Sequence, residues 1–240
     1  MPNIASDHIS RQFDAELDGL RSRVTRMGGL VENQIAQAIA AFLSGDLDAM
    51  EQVIADDHRI NGMEVSIDDE CAHIIARRQP AAGDLRLVMA VSKIVTDLER
   101  IGDEAAKIAR TAREIYQRDR LQVPRLADVR KLGDLGVTML RDVLNAFVRL
   151  DVVEAARIIR SDAQLDDNFR GILRQLITYM MEDPRTISSA LDITFIAKAI
   201  ERIGDHSKNI AENVIYVVKG KDVRHIAIDI MEREALGGEG

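Results

Sequence analysis

Length, composition and charge already exclude several classes of protein. The 240 residues suit one large domain or two smaller ones, and 46% hydrophobic residues are enough for a core. Aromatic residues make up only 3% and Trp is absent, which favours Leu, Ile and Ala packing between helices over a β-sandwich. A net charge of −8 disfavours direct binding to nucleic acid or to an anionic membrane and fits metal cations or a basic protein surface better.

Helix-breaking residues divide the chain into six helical segments. The breaks fall at Gly45, Pro80, Pro124, Leu150 and Pro184. They predict helices at about 8–43, 46–78, 84–117, 125–149, 151–181 and 186–218, with N-caps at Asp46, Asp84 and Asp151.

Apolar residues follow a helical period most clearly in the third and sixth segments. They recur at steps of four and three from Leu87 to Ile108, and again from Ile193 to Val214 with one interruption at Ser207. This pattern predicts an all-α protein.

The two halves of the chain repeat each other. The pentapeptide Glu-Arg-Ile-Gly-Asp begins at Glu99 and again at Glu201, 102 residues later. At a spacing of 105, Asp46 matches Asp151, so three helices occur twice. The repeat predicts two tandem three-helix bundles side by side, in residues 1–120 and 121–225, and a C-terminal tail at 226–240 with a disordered tip.

The repeated pentapeptide carries a pair of acids. Glu99 and Asp103 lie four residues apart on one helix face, as do Glu201 and Asp205, and counting 100° per residue places both pairs on the solvent side. A plain charged surface is the ordinary explanation of one such pair. It accounts poorly for two, because like charges at this spacing repel and the enclosed glycine costs about 1 kcal/mol against Ala.

The preceding helix of each half adds acids at matching positions. These are Asp57, followed by Asn61, in the first half and Asp162 and Asp166 in the second. Carboxylates held on two rigid helices are typical ligands of divalent metal ions. Because Asn61 replaces an acid, we expect tighter metal binding in the second bundle.

Four other residues are weaker candidates. A di-iron site of the ferritin type needs two Glu-x-x-His motifs, and the sequence contains one, from Glu70 to His73. We interpret this single motif as a coincidence and expect His73 to be partly buried or at the surface. His206 is expected either to join the second acidic site or to lie on the surface. Cys71 lies on an apolar stripe and is predicted to be a buried thiol.

Several longer stretches resemble one known family. They are "MGG" followed by "VE" from Met27, "RRQPAAGDLRLVMAVSK" from Arg77, both ERIGD segments, "RQLITYMMEDPRTI" from Arg174 and "YVVKGKDVRH" from Tyr216. With these, nearly the whole chain resembles the PhoU family of bacterial phosphate-signalling regulators. The resemblance implies an all-helical protein without known catalytic activity, and the start of the chain, which lacks an apolar leader, fits the cytoplasmic location of the family.

The resemblance also implies a function and partners. PhoU-like proteins are negative regulators that, when phosphate is plentiful, help hold the sensor kinase PhoR in its repressing state, together with the Pst transporter and its ATPase PstB. They also restrain phosphate uptake, are commonly homodimers, and meet the membrane only through these partners.

Some members of the family bind divalent or iron-type metal ions at E(D)xxxD motifs. The resemblance maps these motifs onto the two pentapeptides, with additional acids on the preceding helices. The residues concerned are Glu99, Asp103, Glu201, Asp205, Asp57, Asp162 and Asp166. A metalloenzyme or a metal store that uses the same carboxylates remains the alternative interpretation.

Overall fold

Six α-helices form the part of the chain that the computed structural model describes, residues 11–118 and 126–223. A short 3₁₀ turn, Pro184–Thr186, precedes the last helix. The helices are α1 (Arg11–Ser44), α2 (Leu47–Arg78), α3 (Ala82–Gln117), α4 (Leu126–Arg149), α5 (Val152–Glu182) and α6 (Ile187–Lys219). These residues include no strand, so the predicted all-α fold with six main helices is confirmed.

Some predicted boundaries lie outside the described residues. They are the start of the first helix near residue 8, the domain junction at 120/121 and the tail at 226–240.

Two of the three predicted N-caps are confirmed. The Asp46 carboxylate accepts a hydrogen bond from the backbone N–H of Ala49, and the Asp151 carboxylate accepts one from Glu154, both at 3.0 Å. Each bond satisfies a donor that the first helical turn leaves without a partner. The sharp connections from α1 to α2 and from α4 to α5 therefore follow directly from the sequence.

The predicted N-cap at Asp84 is wrong. The cap of α3 is Ala81, which makes no side-chain cap hydrogen bond, and the backbone N–H of Asp84 already lies 3.1 Å from the Ala81 carbonyl oxygen. The chain reverses earlier than expected because Gln79 and Ala82 adopt positive φ angles of 49° and 42°. Asp84 is therefore a residue of the first helical turn.

The helices form two three-helix bundles that pack side by side, as predicted. Helices α1, α2 and α3 contact one another, as do α4, α5 and α6, and the most extensive helix pair of all is α3 with α6. The apolar series from Leu87 to Ile108 and from Ile193 to Val214 are buried throughout. At the interruption, Ser207 is buried and its hydroxyl donates to the Ile203 carbonyl oxygen at 2.8 Å.

A second seam between the bundles, along α1 and α4, repeats the symmetry of the sequence. A Cβ atom added at Gly28 would lie 2.4 Å from Cδ2 of Leu144, and one added at Gly133 would lie 2.5 Å from Cδ1 of Ile39. Gly28 and Gly133 are equivalent positions of the repeat, and so are Ile39 and Leu144. Each half thus receives an aliphatic side chain of the other over a glycine, which relates the halves by an approximate two-fold axis.

No helix in the described ranges combines the length and apolar character that crossing a membrane requires.

Candidate metal-binding clusters

The structure brings the predicted acids together in two groups, one in each bundle. We call Asp57, Glu64, Glu99 and Asp103, on α2 and α3, the first cluster. We call Asp162, Asp166, Glu201 and Asp205, on α5 and α6, the second cluster. Within each group the charges are close enough to act on one another's ionisation. All seven residues predicted from the sequence belong to these clusters.

Glycines inside the pentapeptides let the two helices of each cluster approach closely. A Cβ atom at Gly102 would lie 3.1 Å from Cδ1 of Ile60, and one at Gly204 would lie 2.2 Å from Cδ2 of Leu165. A larger residue would displace these side chains or push the two helices of the cluster apart. The glycine therefore positions the acids on either side of it against those of the neighbouring helix.

The predicted solvent-side position is wrong for the glutamates. Glu201 is only 9% exposed and the Glu99 side chain 16%, whereas the Asp103 side chain is 40% exposed and Asp205 lies at the surface. Counting angles along a single helix ignores the neighbouring helix, which covers the flank on which the glutamates lie. The clusters are consequently half-buried grooves rather than open faces.

Burial and mutual repulsion perturb one acid of each cluster. Burial raises the pKa of Glu99, and the charges of Asp103 and Glu64 raise it further. Partial desolvation of the Asp205 carboxylate in its groove raises the pKa of this residue as well, with Glu201 and Asp162 adding to the effect and Lys198 opposing it. A bound cation would relieve this repulsion.

Glu64 is a member of the first cluster that the comparison of the two halves of the sequence did not identify. It lies on α2, where its carboxylate accepts a hydrogen bond from Thr96 Oγ1 of α3 at 3.2 Å. The equivalent position in the second half is Phe169, so a comparison of the halves hides it. The steps of four and three from Asp57 through Asn61 to Glu64 could have revealed it. The premise that Asn61 leaves the first cluster one acid short is therefore wrong.

Basic side chains occupy the second cluster. Lys208 Nζ donates to the Asp162 carboxylate at 2.9 Å, and Lys198 Nζ donates to the Glu201 carboxylate. Arg170 lies 3.5 Å from the Asp166 carboxylate. Three of the four acids thus have a positively charged partner.

The donor chemistry of the clusters suits a hard cation, although the side chains do not converge on one. Among the described residues, no three His, Cys, Asp or Glu side chains are placed to hold an ion together. Buried oxygen atoms without a hydrogen-bond partner nevertheless include Oδ1 of Asp162 and Oε1 of Gln34. The Gln34 amide also donates to Asp57 at 3.3 Å, so each cluster includes or adjoins an unsatisfied buried acceptor.

Comparison with known proteins identifies the family. The model of the PhoU domain matches residues 24–112 and 129–214, one match in each half. The chain belongs to the PhoU family. It is 50% identical over 230 residues to the phosphate-specific transport system accessory protein PhoU of Escherichia coli K12, covering 96% of this chain and 95% of that protein. A PhoU homolog of Pseudomonas aeruginosa is 47% identical over 97% of this chain and 96% of its own length.

Solved PhoU structures have the same fold. The crystal structure of PhoU from Pseudomonas aeruginosa matches with a TM-score of 0.84 at 47% identity, covering 87% of this chain and 100% of that one. The phosphate transport system regulatory protein PhoU from Streptococcus pneumoniae matches with a TM-score of 0.82 at 30% identity, covering 88% of this chain and 99% of that one.

His206 lies between the two bundles of this PhoU-family chain. Its Nδ1 atom is 2.9 Å from a carboxylate oxygen of Asp97 on α3, and the same oxygen accepts a hydrogen bond from Asn209 at 3.2 Å. Both the His206 and the Asp97 side chains are largely buried. His206 therefore belongs neither to the second cluster nor to the open surface, the two positions expected from the sequence.

The remaining candidates, Glu70, His73 and Cys71, have structural roles and belong to neither cluster. Glu70 forms an ion pair with Arg23 of α1, while His73 is exposed with its Nδ1 atom 2.6 Å from the Asp69 carbonyl oxygen. Cys71 is 3% exposed, and burial raises the pKa of its thiol to about 12. The interpretations of His73 as a partly buried or surface residue, and of Cys71 as a buried thiol, are confirmed.

An open cavity of about 410 Å³ lies elsewhere, between α1 and α4. Its lining includes Ile39, Leu43, Val137, Arg130 and Arg141, and no member of either cluster. The carboxylates and this cavity are therefore separate features of the molecule.

Proposed function

We propose that this chain is a non-enzymatic accessory protein of phosphate transport that couples a Pst-type transporter to a PhoR-type sensor kinase. In this role it represses the phosphate-starvation response and restrains phosphate uptake when phosphate is plentiful. The observation that carries the proposal is the likeness, over 96% of the chain, to a protein named as an accessory of the phosphate-specific transport system. We place its action in the cytoplasm, where a kinase domain and a PstB-type ATPase would both be accessible.

The packing of the two bundles supports an adaptor role. The α3–α6 pair and the reciprocal glycine contacts of α1 with α4 join the halves through extensive buried surface. A joint of this kind holds two exterior surfaces at a fixed distance and orientation. Binding of one partner can then place the other.

The proposal is tested with a reporter of phosphate-starvation genes in cells that lack this protein. We expect the reporter to be active at high phosphate without the protein and repressed again when the wild-type chain is supplied. An unchanged phosphate response in the deletion strain, together with failure of the purified chain to capture either the kinase or the ATPase, would reject the proposal.

We further propose that the carboxylate clusters are the candidate sites of this chain for divalent or iron-type cations. Asp57, Glu64, Glu99 and Asp103 would supply the oxygen ligands in the first bundle, and the four acids of the second cluster are the candidate ligands in the second. A bound cation would neutralise the acids and fix the groove between two helices. Elemental analysis of protein purified without added metal, combined with a screen for turnover, separates this role from the alternative of a metalloenzyme, which requires both metal and product.

We also propose a homodimer, on the basis of the family likeness. Sedimentation velocity should then report about twice the chain mass of 26.7 kDa at micromolar concentration. A single species at the mass of one chain would reject the dimer without bearing on the adaptor role.

A further inference from the structure

The two acidic clusters differ in the charges placed among them. In the second cluster, Lys208 bonds to Asp162 and Lys198 bonds to Glu201, so two ammonium groups lie where a bound cation would otherwise be attracted. Lys198 also lies 5.6 Å from the centre of the Phe169 ring, which fixes it further over this groove. The second cluster thus carries its own counter-ions.

The equivalent positions in the first cluster have no positive charge. Ala106 stands where the second half has Lys208, and Thr96 stands where it has Lys198. Glu64 replaces Phe169, so an aromatic ring is exchanged for a fourth carboxylate. The Arg100 side chain, which is 57% exposed, lies 3.6 Å from Glu99 and 3.8 Å from Asp103, distances too long for a hydrogen bond to either carboxylate.

Buried polar atoms show the same asymmetry. Gln34, only 4% exposed, reaches the first cluster by donating to Asp57, and its carbonyl oxygen has no partner. That oxygen lies 3.2 Å from the position of a Cβ atom at Gly102, between the two acids of the pentapeptide. The second cluster also has an unpartnered oxygen, on Asp162, but the other oxygen of the same carboxylate is already held by Lys208.

We propose that Lys198 and Lys208 are the fixed cations of the second cluster, so that divalent-ion binding by this chain is confined to the first cluster. A divalent ion at the second cluster would have to displace or repel both ammonium groups. At the first cluster, the charged groups that the described residues place around the ion are the carboxylates and the exposed guanidinium of Arg100. This inference rests on the metal part of the proposed function and assigns the ion to the first of the two candidate clusters. It reverses the expectation, based on Asn61, that the second bundle binds metal more tightly.

The test is a calorimetric titration of the full-length, chelator-stripped chain with Mn²⁺, an ion that prefers oxygen ligands. We expect one class of binding site in the wild type. The double variant Glu99→Gln with Asp103→Asn should weaken it by about tenfold or more, while Glu201→Gln with Asp205→Asn should leave it within about twofold. The reverse pattern, equal losses in both variants, or no binding by the wild type would each overturn the proposal.

Exchanging the lysines between the clusters tests their role directly. Lys198→Met with Lys208→Met should open a second class of Mn²⁺ sites, and the absence of new binding in a folded variant would count against the proposal. Because this change leaves Asp162 buried without its partner, a surface variant provides an independent test. Thr96→Lys should weaken the existing site by about tenfold, whereas Thr96→Met should not; equal affinities for these two variants would contradict the inference.

The metal titration and the adaptor role can fail separately. If both pairs of carboxylate substitutions weakened Mn²⁺ binding equally, while the chain still captured the kinase and the ATPase, only the role assigned to the lysines would be rejected. Intact metal behaviour without any capture would reject only the adaptor role.

Discussion

At the scale of single residues, the duplicated positions are not chemically equal. Gly45 and Leu150 occupy the same place in the repeat, just before the N-caps Asp46 and Asp151, and both have positive φ angles, 74° and 51°. Only Gly45 suits this conformation without strain. Leu150 packs partly against the core, which offsets its less favourable backbone.

Replacing Gly45 should therefore destabilise the fold. We expect Gly45→Ala to lower the free energy of unfolding by about 1–2 kcal/mol, because an L-residue in the left-handed region is strained and the added Cβ atom would lie 2.7 Å from the Tyr116 ring. Urea unfolding measures this difference. Gly62→Ala is the matched control, because an added Cβ atom there would meet no neighbouring group within 4 Å. Its free energy of unfolding should rise by about 0.5–1 kcal/mol. A Gly45→Ala variant as stable as the wild type would contradict the prediction.

The acids of the clusters show how far sequence reasoning reaches at this scale. The acids of the pentapeptides could be predicted because the same pair, Glu and Asp four residues apart, occurs in both halves on one helix face. These acids are Glu99, Asp103, Glu201 and Asp205. Glu64 and the two lysines could not be predicted in that way, since their counterparts are different residues. Their roles depend on which face of the neighbouring helix packs against the acids, which the repeat does not encode.

At the scale of elements, ion pairs between helices make the stability of the fold depend on pH. Arg78 at the end of α2 donates two hydrogen bonds to Glu16 of α1, at 2.9 and 2.5 Å, and these bonds hold the pKa of Glu16 below its ordinary value of 4.5. A carboxyl with a lowered pKa stabilises the fold while it is ionised. Its contribution is present above about pH 4.5 and is lost as the pH falls through the lower folded value.

Arg78→Met should remove this contribution. We expect the variant to be less stable than the wild type at pH 7, with the difference shrinking as the pH is lowered to about 3. Urea unfolding at several pH values measures it. Arg26→Met, which removes an exposed arginine of α1, should show no such trend. A stability difference that does not change with pH would show that the Arg78 side chain acts through packing alone.

The seam between α1 and α4 gives a second prediction at this scale. Gly28→Ala should destabilise the fold by up to about 2 kcal/mol, because overpacking against Leu144 costs about 1–3 kcal/mol and the gain in helix propensity returns at most about 1 kcal/mol. In a Leu144→Ala background the same change should no longer destabilise. A loss of equal size in both backgrounds would place the cost of Gly28→Ala somewhere other than in its contact with Leu144.

Helix existence and order could be predicted from the sequence, whereas the start of α3 could not. The apolar period from Leu87 onward is long enough to identify α3 by itself. Its first turn depends on the positive φ angles of Gln79 and Ala82, and neither Gln nor Ala favours such a conformation, so the sequence does not predict it. The burial of Glu99 and Glu201 likewise depends on the neighbouring helix and not on the helix that carries them.

At the scale of the whole molecule, an approximate two-fold axis relates two halves that have diverged in charge. The shared features, the N-caps at Asp46 and Asp151 and the reciprocal glycine contacts at Gly28 and Gly133, build and join the bundles. The differences in charge include Glu64, Lys198 and Lys208 along the acidic grooves. A body of this kind offers two similar but distinguishable surfaces in a fixed relation, which suits a protein that joins two different partners.

Simultaneous binding is the most direct test of the adaptor role. The purified chain is mixed with the cytoplasmic part of the PhoR-type kinase and with the PstB-type ATPase, and the masses of the complexes are measured by light scattering after gel filtration. We predict one complex that contains all three proteins and that the kinase and the ATPase do not form without this chain. Binding of the two partners that is mutually exclusive, or binding of neither, would contradict the account.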